Sequence, residues 1–272
     1  MTKNRFLIAI SLTLGAMSMS LTSCTSSVND IAKAIVKNSR DNDYRDSEKW
    51  GKVITKPIEL APFTHIYLSG NVDVKFTQGD VLKVEAYGNE KAIETNDIKV
   101  EGNALVVSKK EGSKSNVPSI KLLITAPAIE SVDVSGAGDI DFKGETELTG
   151  DLDLTVSGAG DININKLKCN TLSIIISGAG DVSAKKITSD KAKFQISGAG
   201  DIDASVRATD VTVAISGAGD ASLDVKCGNL IVNAGGTGDV ELKGECTNLT
   251  KSSGGMASID SRKLSVKNIS IK

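Results

Sequence analysis

The chain has little of what most enzymes and nucleic-acid binders depend on. Its 272 residues include one histidine (His65), one tryptophan (Trp50), four prolines and four cysteines, and aromatic residues make up 3%. A single imidazole leaves a thin stock of general bases, and so few aromatic rings give no platform for stacked bases. A formal net charge of -2 and a pI near 5.6 supply no basic footprint for nucleic acid. No G-x-S-x-G elbow, metal-ligand spacing or phosphate-binding loop occurs along the chain. What is plentiful is small: 26 glycines accompany 40% apolar residues. That mixture suits a core of small and branched aliphatic side chains.

The N-terminus reads as an export signal. Lys3 and Arg5 precede an apolar run over 6–19 that is too short to be a stable membrane span. The run ends in Leu21-Thr22-Ser23-Cys24, which resembles a bacterial lipobox. The resemblance implies cleavage after residue 23, lipid on the Cys24 sulfur, and acylation of the new amino terminus. Several acyl chains on one residue anchor durably, since burial is worth ~0.8 kcal/mol per CH₂. Residues 1–23 are thus expected to be a signal peptide, 24–51 a polar tether, and 52–272 the folded domain. Thr25 rather than Asp follows Cys24, so a proteobacterial inner-membrane retention signal is absent. An outer-membrane location is expected, with its face left open.

The pentapeptide Ser-Gly-Ala-Gly-Asp occurs five times, beginning at Ser135, Ser157, Ser177, Ser197 and Ser216. Its first glycines, Gly136, Gly158, Gly178, Gly198 and Gly217, with Gly236 of a sixth, related turn, are spaced 22, 20, 20, 19 and 19 residues. A period near 20 marks a repeat architecture. Four residues after each marker stand Ile140, Ile162, Val182, Ile202, Ala221 and Val240; four before the next stand Leu154, Ile174, Phe194, Val213 and Val232. Polar residues alternate with these, the pattern of half-buried strands. Columns of matched size favour stacked coils over a propeller, because only stacking brings equivalent residues into contact. The fold expected is all-β: a single-stranded, right-handed parallel β-helix with coils of about 19–22 residues. Its coils before about residue 130 are less regular, and "LSGNVDVKF" at Leu68–Phe76 repeats the motif frame with Asn71 and Val72 in place of Ala and Gly.

The segments "APFTHIYLSGNVDVKFTQGD", "NDIKVEGNALVV" and "IKLLITAPAIESVDVSGAGDI" resemble the auto-transporter adhesin head, or GIN, domain of bacterial envelope proteins. The resemblance runs from about Val53 to the C-terminus. It implies a β-helical secreted or lipoprotein domain and brings no catalytic motif.

Within each turn, two roles fit the glycine pairs Gly136/Gly138, Gly158/Gly160, Gly178/Gly180, Gly198/Gly200 and Gly217/Gly219. They either adopt positive φ at a corner or lie where stacked backbones leave no room for a Cβ. The alanine between them is expected to fill a tight column. Asp139, Asp161, Asp181, Asp201, Asp220 and Asp239 form a ladder of like charges one coil apart. At about 4.8 Å and an effective dielectric near 20, each adjacent pair repels by roughly 3.5 kcal/mol. Three readings are open. Each carboxylate caps the N–H groups of its own turn while facing water; or calcium sits between rungs; or the ladder is a catalytic or sugar-binding groove. Translationally equivalent aspartates suit the last poorly, because a glycosidase needs two carboxyls in different environments.

Cys169, Cys227 and Cys246 fall in a column shared with Thr149, Ser189 and Ala208. Cys227 and Cys246 are expected as stacked neighbours. Parallel, in-register Cβ vectors suit a disulfide poorly, which favours buried thiols. His65 has no partner for a metal and reads as a surface or packing residue. Together these features point to a non-catalytic envelope lipoprotein that binds, adheres or scaffolds through a rigid surface. Its expected contacts are the membrane through lipid and a protein or glycan partner, not nucleic acid. The alternative is a carbohydrate-active enzyme or glycan-binding protein using the Asp ladder.

Overall fold

Branched aliphatics at every second position bury one side of each strand, and a glycine turn every 20 or so residues returns the chain to the same place. The computed structural model describes residues 48–113 and 116–271; Cys24, the signal segment and the tether up to residue 47 lie outside them. The less regular first part holds β1 (Val53–Ile58), β2 (His65–Leu68), β3 (Val72–Gln78), β4 (Lys83–Asn89), the short helix α1 (Glu90–Glu94), β5 (Asn96–Glu101), β6 (Ala104–Lys109) and β7 (Ile120–Ala126). The repeats follow as β8 (Ser131–Val134), β9 (Ile140–Glu147), β10 (Leu152–Val156), β11 (Ile162–Lys168) and β12 (Thr171–Ile176). Longer strands that carry a whole coil complete the chain: β13 (Val182–Ile196), β14 (Ile202–Ile215), β15 (Ala221–Ala234), β16 (Asp239–Ser253) and β17 (Ser258–Ile271).

The result is a β-solenoid of stacked parallel coils. One ladder runs β6, β2, β8, β10, β12 and then the second halves of β13 to β17. The other runs β7, β3, β9, β11 and the first halves of the same strands. Equivalent residues stand in register: Ile140 on Ile162 on Val182 on Ile202 on Ala221 on Val240. All six are buried, as are Leu154, Ile174, Phe194, Val213 and Val232. Ala192 and Phe194 share a coil and are both buried, so one column's loss of volume is offset by its neighbour's gain.

Chain order and stacking order differ at one end. The sequence suggests that the early coils follow one another, yet the coil made by β6 and β7 lies outside the earlier coil made by β2 and β3. β2 pairs with both β6 and β8, and β3 with both β7 and β9. Between those coils the chain leaves the solenoid as a cap. β4 pairs antiparallel with β7 and with β1, and β5 pairs antiparallel with β6. β4 and β5 therefore do not form coils; they close a sheet end that would otherwise be an open edge. Ala92 and Ile93 of α1 are buried against this end.

Candidate functional site

The five repeated turns lie one above another on a single corner, and the conformation of their glycines follows from that stacking. None of the ten paired glycines has φ in the left-handed region, so the positive-φ alternative fails. Ala159 donates its N–H to the Gly136 carbonyl at 3.0 Å, which places that oxygen directly beneath the Gly158 Cα. A Cβ on Gly158 would stand 1.7 Å from it, and one on Gly160 would stand 2.1 Å from the Gly138 oxygen. The same collisions recur at Gly178, Gly198 and Gly217 (1.7 to 1.8 Å) and at Gly180, Gly200 and Gly219 (2.1 Å). Close backbone approach alone requires glycine. The alanines do not fill a column: Ala137, Ala159, Ala179, Ala199 and Ala218 are exposed, pointing away from the stack.

The lowest turn explains its own departure from the motif. Gly136 stands over Gly70 and Gly138 over Val72, although the two segments are 66 residues apart. Val72 can carry a side chain because its partner on the far side is Ile120 in β7, where no such turn exists.

The carboxylates are tied into the same stack. Each aspartate donates its backbone N–H to the Oδ1 of the aspartate one coil below. Asp161 bonds Asp139 at 3.1 Å, Asp181 bonds Asp161 at 3.1 Å and Asp201 bonds Asp181 at 2.9 Å. Asp220 bonds Asp201 and Asp239 bonds Asp220, both at 2.8 Å. The capping reading is thus right in kind and wrong in partner, since the N–H comes from the neighbouring coil rather than the residue's own turn. A seventh member, Asp73, accepts the Asp139 N–H at 3.2 Å. It was legible in the motif frame of "LSGNVD".

Both ends of the ladder are closed by other groups. Lys121 Nζ lies 4.0 Å from Asp73 Oδ2, and Ser258 Oγ donates to Asp239 Oδ1 at 2.5 Å. Burial pushes the Asp73 carboxyl above its usual value; the Asp139 N–H opposes this, the Asp139 charge adds to it, and Lys121 opposes it. Among the described residues no group of three or more His, Cys, Asp or Glu converges as a metal site.

A second side-chain ladder escaped the sequence reading. Asn229 donates to Asp210 Oδ1 at 2.7 Å, Asn248 to Asn229 at 2.8 Å and Asn268 to Asn248 at 2.8 Å. The signal was a polar column seven residues before the marker glycine. The cysteine column stacks as expected, Ser189 on Ala208 on Cys227 on Cys246, with all three described thiols free. Burial pushes the Cys169 and Cys227 thiols up to about 12 and raises Cys246 as well.

Two depressions mark the surface. A shallow groove of about 160 Å³ on the first ladder's outer face is lined by Tyr67, Ser69, Val106, Asp133, Ser135 and Thr155 among others. Tyr67 is 45% exposed there. Burial raises the Asp133 carboxyl, a hydrogen bond from Thr155 lowers it, Asp153 raises it and His65 lowers it. His65 Nδ1 lies 3.1 Å from Thr64 Oγ1 and 3.3 Å from Asn103 Nδ2, and its Nε2 lies 3.8 Å from Glu130. A wider hollow of about 510 Å³ at the capped end includes Trp50, Lys49, Lys91 and Lys110, with Lys49 Nζ 4.7 Å from the Trp50 ring centroid. The polar segment 111–117, which carries glycine and serine, lies between β6 and β7, and its residues 114 and 115 are outside the described residues.

A family model described as "Putative auto-transporter adhesin, head GIN domain" matches residues 62–223 and 204–272. The chain belongs to the GIN family. Among solved structures, "a putative adhesin" from Bacteroides fragilis is 24% identical over 81% of this chain and 95% of its own, with a TM-score of 0.55. A "putative lipid binding protein" from Parabacteroides distasonis is 16% identical, with a TM-score of 0.63 over 84% of this chain and 99% of its own. A "putative adhesin" from the same species is 17% identical, with a TM-score of 0.53 over 82% and 98%. At these identities the likeness shows that the GIN solenoid is shared. No curated protein matches the chain.

Proposed function

We propose that this GIN protein is a lipid-anchored envelope module that binds a protein or glycan ligand through the solenoid wall and carries out no reaction. The observation that supports this best is the hydrogen bonding of the Asp ladder. The carboxylates that offered the clearest route to acid–base chemistry serve as acceptors for the next coil's backbone, in one repeated setting. Separate acid and base roles need environments that push two carboxyls apart. Binding then falls to the outward columns. The Tyr67 groove combines an exposed aromatic face with Asp133, Ser135 and Thr155, an arrangement suited to a polar ligand with an apolar face.

The family's adhesin description accords with an envelope or surface location. Anchoring rests on the lipobox ending at Cys24, and the described chain begins at the capped end, where Lys91 donates to the Trp50 carbonyl at 3.1 Å. The decisive experiment uses cells producing the full chain. Antibody should label it without permeabilisation, Cys24→Ser should release it from membranes, and Tyr67→Ala should weaken capture of immobilised glycans or matrix proteins. New reducing ends or unsaturated sugars from glycans incubated with the purified chain, abolished by Asp181→Asn, would overturn the reading.

A further inference from the structure

One outward column of the first ladder changes character towards the capped end. From β10 to β15 it runs Thr155, Ile175, Gln195, Ala214 and Asn233, all uncharged. Below Thr155 the same column holds Asp133, then Tyr67 and Val106, and these line the shallow groove of about 160 Å³. The later coils show that the stack closes without a charge at this position. Asp133 is kept there against its own solvation: burial raises its carboxyl, the Thr155 hydrogen bond opposes this, the Asp153 charge adds to it and His65 opposes it. Where a repeat breaks its pattern at a cost in stability, function is the expected reason.

The surroundings of the groove are acidic. Asp153 stands beside Ser131 in the adjoining column, and Glu130 lies next to His65. On the same face of β5 stand Asp97, Lys99 and Glu101, opposite Ser108, Val106 and Ala104 of β6. Lys99 is already engaged, 3.1 Å from Asp97 and 3.0 Å from Glu101. Among the described residues no lysine or arginine forms an ion pair with Asp133 or Asp153. A carboxylate has about four acceptor sites, so the Thr155 bond leaves Asp133 free to accept more.

We propose that the Tyr67 groove receives a single arginine side chain of a partner protein, its stem against Tyr67 and Val106 and its guanidinium meeting Asp133 and Asp153. A cation relieves both carboxylates at once, whereas the neutral hydroxyls of a sugar leave their repulsion in place. The groove is also well below the ~300 Å³ at which small-molecule sites begin, a size that suits one side chain. Between the two basic side chains, arginine stacks on aromatic rings and meets carboxylates with a planar fork of donors. This deepens the reading of the solenoid wall as a binding surface and rests on it.

NMR titration of the full chain with Cys24→Ser against a blocked Gly-Arg-Gly peptide tests this. The amides of Tyr67, Asp133 and Thr155 should shift saturably, with a dissociation constant on the order of 1 mM that rises with salt. The same peptide with citrulline, which keeps the shape and loses the charge, should leave them unmoved. Asp133→Asn and Asp153→Asn should each weaken binding by at least about fivefold. Neither should lower the melting temperature, because the first removes a charge that burial disfavours and the second lies on an exposed residue. Absence of a saturable shift overturns the proposal, as do equal shifts with citrulline. Tighter binding of glucosamine at the same amides also overturns it and assigns the groove to a glycan. The wider reading fails separately: it falls if Tyr67→Ala leaves capture of matrix proteins and glycans intact. Capture lost with Tyr67→Ala but kept with both asparagine variants overturns the arginine pocket alone.

Discussion

Asp161 donates its backbone N–H to Oδ1 of Asp139 at 3.1 Å. In an ordinary parallel ladder a main-chain carbonyl would accept that proton. Here the carbonyl of Gly138 faces the Cα of Gly160 instead, and the carboxylate takes its place. The glycines and the aspartate of the motif are thus parts of one device: close backbone approach displaces a carbonyl, and the Asx oxygen replaces it.

That device separates two substitutions at one position. Asp181→Asn keeps an oxygen for the Asp201 N–H and removes a charge between two like neighbours. Stability should stay level or rise by up to about 1 kcal/mol at low salt, the gain fading as salt increases. Asp181→Ala leaves the N–H without its acceptor and should cost about 1–2 kcal/mol. Urea titrations at two salt concentrations check both, and EDTA should leave the wild-type midpoint unchanged.

Gly178→Ala should be far more damaging. The new Cβ would stand 1.7 Å from the Gly158 oxygen, in a backbone stack that cannot yield locally. A loss of about 3 kcal/mol or more is expected. Gly150 is the control: nothing lies within 4 Å of its Cβ position, and Gly150→Ala should change stability by less than about 1 kcal/mol. Thermal and urea melts of the two variants test the contrast.

Asp73 carries a pH signature. Burial raises its folded-state carboxyl above the ordinary value of 3.8, so the folded state holds the proton more tightly than the unfolded one. Ionisation therefore removes stability as pH rises through the window above 3.8, and the penalty is complete at neutral pH. Asp73→Asn, which keeps an acceptor for Asp139, should gain stability relative to wild type as pH climbs from that value towards 7. A flat difference across that range would contradict the assignment.

The three described thiols should be slow to exchange with a disulfide reagent. With Cys169 and Cys227 pushed up to about 12, the thiolate fraction at pH 8 is on the order of 10⁻⁴. In the chain carrying Cys24→Ser, Ellman's reagent should report little reaction in the native state under reducing-agent-free conditions and rapid reaction after unfolding.

Thr146 offers a stabilising change. It occupies the inward column under Leu167, and its buried hydroxyl has no hydrogen-bond partner among the described residues. Thr146→Val keeps the shape and removes the unpaired oxygen, so the midpoint should rise by the equivalent of about 1 kcal/mol.

Much of the solenoid was readable because stacking converts a linear period into a spatial column. Once Gly136, Gly158 and Gly178 are aligned, Ile140, Ile162 and Val182 follow as neighbours, and their shared apolar character identifies the interior. The Asn229–Asn248 ladder was readable by the same alignment but is polar, so a search for buried columns passes over it. The cap was harder. β4 alternates like a coil strand, and nothing local distinguishes antiparallel pairing with β7 from parallel stacking.

By itself the sequence determined the repeat length, the interior columns, the corner that needs glycine and the stacking of Cys227 on Cys246. These depend only on period and side-chain size, which are local quantities. Tertiary structure alone decided that the 104–126 coil passes outside the 65–78 coil, so that Asp139 rests on Asp73 rather than on a nearer neighbour in the chain. It also decided which N–H each carboxylate accepts. Both are questions of which backbones meet across space, and that depends on how the whole chain closes its end.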